Sequence, residues 1–147
     1  MLHYDGCGLR NIWLRNGYSG RNTPYGKAVS IQNVEGLHRT IALHLIKTKP
    51  SLSGAEFRFI RKELDLSQAR LGQMFGYSSQ AIAIWEKSGH VPKLADRALR
   101  AIYREVAEGN AGLQELVERL NDLDRKHHDK SKVVLHETDK GWQAKAA

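Results

Sequence analysis

The sequence contains almost nothing that could cross-link its fold. Only one of its 147 residues, Cys7, is a cysteine. A single thiol excludes an internal disulfide and the multi-cysteine zinc sites that stabilise many small domains. We therefore expect apolar packing to supply the stability of this chain.

Long hydrophobic runs are also missing. No stretch approaches the roughly 20 apolar residues that span a bilayer, and the first residues do not form a basic region followed by an apolar run. We expect a cytoplasmic protein without a membrane segment. The length suits one ordinary domain, or a minimal domain with appended segments.

Signatures of catalysis are absent as well. The sequence has no phosphate-binding glycine loop, no dinucleotide fingerprint, no nucleophile elbow and no pair of carboxylates in an apolar setting. Its seven histidines are scattered, and the adjacent His127 and His128 would not share one face of a helix. We expect no enzyme activity, no metal site and no cofactor.

Positive charge is what the sequence has in excess. It carries 23 lysines and arginines against 16 acidic residues, a formal net charge of +7. Positive surface attracts phosphate, so this balance favours a nucleic-acid partner. A soluble basic protein without such a partner is the alternative.

Hydrophobic periodicity predicts a mainly α chain. Apolar residues recur every three or four positions over 34–47, 67–75, 79–87 and from 92 to about 108. Ser53 with Glu56 predicts a capping box, in which each side chain accepts a hydrogen bond from the other residue's backbone N–H at a helix start. The helix that begins at Ser53 should bury Phe57, Ile60 and Leu64. The helix that begins near Pro92 should bury Leu94, Ala98, Leu99, Ile102 and Val106.

The rest of the chain predicts short strands and appended segments. Residues 12–14 and 28–31 are expected to be strands, and 133–138 with a turn at 139–141 are expected to pair with them. Residues 113–123 carry a leucine stripe that either packs on its own domain or forms a dimer contact. We divide the chain into an accessory segment 1–50, a central domain 51–109, which begins at the polar junction 51–54, and a C-terminal helix and strand 110–147.

The segment 66–86 has a spacing that predicts two short helices packed at a steep angle. Gly72 would let their backbones approach closely, and Gly76 stands where the chain needs a positive φ to leave the first helix. The apolar residues at their junction are Leu71, Phe75, Ile82 and Trp85. The second helix then presents an outward first turn, whose free N–H groups and helix dipole suit phosphate and base edges.

This segment resembles the Cro/repressor (XRE) family of helix-turn-helix regulators. The resemblance covers residues 54–106, including Leu-Ser-Gln at 66–68 and Ile-x-x-Trp-Glu at 82–86. It implies a lambda-repressor-like bundle of four or five helices whose third helix enters the major groove of DNA. Before this bundle we expect the small strand-containing segment. Our hypothesis is a homodimeric transcriptional repressor that binds a palindromic operator and needs no cofactor, with a dimer or shape readout supplying the selectivity.

The resemblance also implies residue roles. Gln68 and Ser78 would position phosphates, and Lys87 and Lys93 would contact the DNA backbone. Arg61 and Glu86 would form a structural ion pair. The positions that face base edges are Ser79, Gln80, Ala83 and Ile84, of which Gln80 suits a bidentate adenine contact and Ile84 a thymine methyl or a protein surface.

A second resemblance covers the order of the whole chain. Cys7-Gly8-Leu9, Gly36-Leu37-His38 and the start of the central domain at 53–58 are similar to MqsA-type antitoxins. Those proteins hold zinc with paired cysteines, which this sequence lacks. The resemblance implies an autoregulating repressor whose residues 1–50 contact a toxin protein, and the alternative function is an antitoxin-type interaction module for which DNA binding is secondary.

The aromatic residues near the N-terminus have two interpretations. We expect Trp13, Tyr18, Tyr25 and Trp142 to pack as core residues. With Arg10, Arg15 and Arg21 they could instead form a platform for RNA or single strands.

Overall fold

The computed structural model describes residues 1–109, 112, 115 and 132–144. The chain is rich in helix and contains small antiparallel strand pairs, as the sequence predicted at this coarse level. Over the residues so described, none of the helices has the length and hydrophobicity to cross a bilayer. In chain order the elements are β1 (Leu2–His3), β2 (Trp13–Leu14), β3 (Tyr18–Thr23), β4 (Gly26–Ile31), α1 (Val34–Thr48), α2 (Gly54–Glu63), α3 (Gln68–Phe75), α4 (Ser79–Ser88), α5 (Lys93–Ala107), β5 (Leu135–Thr138) and β6 (Gly141–Ala144).

The helices begin where local capping chemistry places them. Asn33 accepts a hydrogen bond from the Gly36 N–H at the start of α1. Ser53 and Glu56 form the predicted capping box at the start of α2, with bonds of 2.8 and 3.1 Å. These caps satisfy backbone N–H groups that have no partner within a helix, which is why the predicted starts are confirmed.

One hydrophobic core joins the helices. Side chains of all five helices α1–α5 contribute to it, and α2 packs against α1, α4 and α5. The largest fully buried apolar side chains are Phe57, Ile60, Leu71, Ile82 and Leu99. The core thereby holds the α3–α4 pair in a fixed orientation on α2.

The core continues across the predicted boundary at residue 50. Ile41 and Leu45 of α1 belong to the same cluster as the later helices, and Leu52 is buried in the junction that follows. The Leu52 N–H donates to the buried carboxylate of Asp96 over 2.7 Å, and Arg100 binds the same carboxylate over 2.6 Å. The junction 51–54 thus contributes Leu52 and Gly54 to the buried interior, while Ser51 and Ser53 remain exposed.

Leu94 does not join the buried face of α5. Its side chain is 81% exposed, whereas Leu99 and Ile102 are buried. Five residues at 100° each place Leu94 about 140° around the helix from Leu99. The buried stripe starts instead at Ala95, one residue later.

The strands form three separate two-stranded antiparallel sheets, β1–β2, β3–β4 and β5–β6. The predicted pairing of the C-terminal strand with the N-terminal strands is wrong, because β5 pairs with β6. The Thr138 hydroxyl donates to the Gly141 carbonyl over 2.9 Å and closes a local turn. Pairing two strands that are joined by a short turn costs less chain entropy than pairing a strand with one that is distant in the sequence.

Several expectations concern residues outside the described part of the chain. The leucine stripe over 113–123, with the helix predicted there, belongs to this group. So does the expectation about His127 and His128.

Candidate nucleic-acid interface

The turn between α3 and α4 comprises residues 76–78, and its geometry depends on Gly76 and Ser78. Gly76 adopts the left-handed conformation with φ 79°, as its position predicted, and ends α3. Ser78 then starts α4 by accepting a hydrogen bond from the Ala81 N–H over 3.1 Å. A residue with a Cβ at position 76 would be strained at that φ. The two helices therefore meet through a sharp turn of fixed geometry.

Gly72 allows the turn to lie directly on α3. A Cβ at this position would be 2.5 Å from the Tyr77 carbonyl oxygen, which real Cβ atoms do not approach so closely. The predicted close backbone approach is confirmed. It fixes the distance between the end of α3 and the first residues of α4.

The inner face of the α3–α4 pair is apolar and buried. Leu71 and Ile82 are fully buried and Trp85 is 8% exposed. The Tyr77 ring meets the Trp85 ring edge-on, with 4.7 Å between centroids. Burial of this face anchors α4 and leaves its opposite face toward solvent.

An ion pair ties the end of α4 to α2. Arg61 Nε donates to Glu86 Oε2 over 2.6 Å, and Arg61 Nη2 donates to Glu86 Oε1 over 3.0 Å. A third bond runs from Arg61 Nη1 to the Leu66 carbonyl. Both side chains are almost fully buried, at 7% and 4% exposure. Arg61 and Glu86 thus adopt the arrangement that the resemblance implied.

Gln68 takes part in the same network. Its Nε2 donates to Glu86 Oε1 over 3.1 Å, and its side chain is half-buried. One N–H of the amide is used in this way, and the amide carries a second N–H that can donate. Ser78 is similar, since its oxygen accepts the capping bond while its O–H can still donate.

The outer face of α4 carries the residues expected to contact bases. Ser79 and Gln80 in the first turn are exposed, Ala83 is half-buried, and Ile84 is 63% exposed. Ser79 and Ala83 are four residues apart, as are Gln80 and Ile84, so each pair lies on one side of the helix. The four residues form one surface on the side away from Ile82.

The surroundings of this surface are positive. Between Leu66 and Ala95 the sequence has a single carboxylate, Glu86, which Arg61 neutralises. Lys87 at the end of α4 and Lys93 at the start of α5 are both exposed. An anionic ligand would meet no repelling carboxylate from this segment, and the positive end of the α4 dipole adds to the attraction.

Two structural residues of the site were not predicted from the sequence. A Cβ at Gly54 would overlap the Glu86 carbonyl, so α2 begins in direct contact with the end of α4. Asp96 is 2% exposed and binds both the junction backbone and Arg100. The spacing of Asp96 and Arg100, four residues apart on one helix, was a signal that could have revealed the second feature.

The expectation that the aromatic residues pack in the core is wrong for three of the four. Trp13 is 58%, Tyr25 is 100% and Trp142 is 70% exposed, whereas Tyr18 is half-buried. Trp13 and Trp142 lie on two-stranded sheets and Tyr25 lies in the turn of another, and such sheets have no second layer to cover these rings. Within the described residues, no group of three or more histidine, cysteine or acidic side chains could hold a metal ion.

Comparisons with family models, with curated proteins and with solved structures find no match to this chain.

Proposed function

We propose that this chain is a sequence-specific DNA-binding regulator of the Cro/repressor helix-turn-helix type. The observation that carries the proposal is the exposed first turn of α4, held outward by a buried apolar underside in a segment whose one carboxylate is neutralised. A helix presented in this way fits the major groove with its N-terminal residues toward base edges. The resulting arrangement is a reader helix with flanking lysines.

The roles of the side chains follow from their chemistry. Gln80 offers the amide pair that matches adenine in the major groove, and Ile84 suits a thymine methyl. Lys87 and Lys93 supply contacts to phosphate that carry no sequence information. One bidentate contact discriminates by about 1–3 kcal/mol, so useful selectivity needs a second copy. We therefore propose a homodimer on a palindrome with half-sites roughly 34 Å apart, which represses by occupying its operator.

A binding experiment with duplex DNA tests this function. The purified chain is applied to the DNA upstream of its own gene and to a scrambled duplex of equal length, at several salt concentrations. We expect tighter binding and a discrete footprint on the upstream DNA. Affinity that nowhere exceeds that for the scrambled duplex would rule out sequence-specific recognition.

Substitutions in α4 separate the two kinds of contact. Gln80→Ala should cost about 1–3 kcal/mol at one base pair of each half-site and leave other positions unaffected. Lys87→Ala should weaken binding to all sequences and reduce the salt slope by about 1. Gln143→Ala, at an exposed glutamine of β6, is the matched control and should change neither. Identical profiles for the Gln80 and Lys87 variants would contradict these roles.

Exposed apolar side chains favour a second candidate, an antitoxin-type module that binds a protein partner. Leu135 is 56% and Trp142 is 70% exposed, and the register of β5 with β6 places both on one face of that hairpin. Neighbouring exposed apolar side chains of this size mark protein contacts. Co-expression with the product of the neighbouring gene tests this candidate. A stoichiometric complex formed without any specific DNA binding would favour it over the regulator.

A further inference from the structure

The β3–β4 hairpin projects from the helical body. Its base adjoins α1, because Gly17 and Ile31 line a cleft of about 470 Å³ together with Leu37 and Leu43 of α1. Beyond this base nearly every side chain is exposed, and Tyr25 at the tip is fully exposed. Two strands of six residues extend about 20 Å. The hairpin is thus an arm whose base adjoins α1 and whose tip faces solvent.

The charge of this arm has one sign. From Gly6 to Val34 the sequence has four cations and no carboxylate. Two of these cations, Arg21 and Lys27, lie on the arm, and Arg10 and Arg15 precede it in the chain. Most other exposed side chains along the strands, those of Ser19, Asn22 and Ser30 among them, can form hydrogen bonds. The arm therefore complements a polar anionic ligand.

The strand register places a cation on each face of the arm. Arg21 lies opposite Ala28, and Lys27 lies opposite Asn22. Directly opposed residues share a face and successive residues alternate, so Arg21 and Lys27 project from opposite faces near the tip. A ribbon with cations on both faces can contact the phosphates on either side of a DNA groove. The major groove has the width to admit a two-stranded ribbon.

The distribution of aromatic rings favours duplex DNA over single strands. Binding of a single strand by stacking requires several rings along one surface. On the arm, Tyr25 lies alone at the tip and Tyr18 is half-buried at the base. Trp13 lies outside the arm, on β2, with its ring 4.6 Å from that of His3.

From these observations we infer that the β3–β4 hairpin is a second DNA-binding element, an arm that contacts the phosphate backbone of duplex DNA through Arg21 and Lys27. It adds sequence-independent affinity to the reading by α4, and in this respect the inference rests on the proposed function. The contact of Arg21 and Lys27 with phosphates requires only duplex DNA and does not depend on sequence recognition by α4.

The test compares two double variants of equal charge. R21A/K27A removes both arm cations, and K132A/K140A removes two exposed lysines near β5–β6 as the control. Each protein is titrated with the upstream duplex, the scrambled duplex and a single strand of equal length, over a range of salt. R21Q/K27Q, which keeps longer side chains on the strands, is measured beside them, and circular dichroism verifies folding.

We expect R21A/K27A and R21Q/K27Q to bind both duplexes at least about tenfold more weakly at 0.1 M salt, with a salt slope reduced by about 2. The ratio of affinities for the two duplexes should stay unchanged, because the arm reads no bases. Hydroxyl-radical footprints should lose protection outside the base pairs covered by α4. The control should keep the wild-type slope.

Three outcomes would overturn the inference: unchanged duplex affinity and slope in the arm variants, an equal loss in the control, or a loss confined to the single strand. Failure of the proposed function is separately visible. In that case the wild-type chain prefers neither duplex, while a reduced salt slope of the arm variants on the scrambled duplex would still support the arm.

Discussion

In the helical body, α1–α5, apolar side chains from every helix meet in one core, whereas in the β3–β4 hairpin most side chains face solvent. The body also contains a buried ion pair, Arg61 with Glu86, while the hairpin displays the exposed cations Arg21 and Lys27. A buried side chain contributes to the free energy of unfolding, whereas an exposed cation on a two-stranded sheet contributes little to it. Matched substitutions in the two regions should therefore have unequal effects on stability.

The largest difference is expected between two arginines. Arg61→Leu leaves the buried Glu86 carboxylate without its partner and should lower the free energy of unfolding by about 3–5 kcal/mol. Arg21→Leu, in the hairpin, should change it by less than about 0.5 kcal/mol. Urea unfolding followed by circular dichroism measures both. Comparable losses would show that the hairpin supports the fold.

A comparison of two glycines should give an intermediate difference in the free energy of unfolding. Gly72→Ala would place a Cβ 2.5 Å from the Tyr77 carbonyl oxygen, so the turn must move away from α3. We expect a cost of about 1–3 kcal/mol despite the better helix propensity of alanine, together with weaker DNA binding, because α4 shifts. Gly20→Ala has no atom within 4 Å of the added Cβ and should be nearly neutral. A neutral Gly72→Ala variant would contradict the close approach.

The smallest effect concerns tyrosine ionisation. Burial, and next the Glu63 carboxylate, raise the pKa of Tyr103 above its ordinary value of 10.0. The neutral phenol is thereby favoured in the folded state, so its contribution is fully present below pH 10 and is lost as the pH rises through the raised pKa. Tyr103→Phe should reduce the loss of stability above pH 10, measured as unfolding midpoints from pH 8 to 11.

Tyr25→Phe is the control for this comparison, because the Tyr25 ring is fully exposed at the hairpin tip. It should leave the stability profile over the same pH range unchanged. If both variants alter the profile equally, the loss at high pH does not originate in the helical body.

The local features of the fold and of the candidate site could be predicted well. The capping box at Ser53, the positive φ of Gly76 and the close approach at Gly72 depend on residues within a few positions of each other. The partners of the strands could not be predicted, because a strand pattern does not specify its neighbour. The exposure of Trp13 could not be predicted either, because a ring is buried only where a second layer covers it, and the strand pattern does not specify such a layer.

The sequence by itself determined where the helices start and end, and most of the residues on their apolar faces, Leu94 excepted, because these properties follow from hydrogen bonds and periodicity within one segment. Only the tertiary structure decided that Asp96 fastens the 51–54 junction to α5, that Gly54 lies against the end of α4, and that the hairpin stays outside the core. These features join residues that are distant in the chain, and such contacts exist only after the helices have packed.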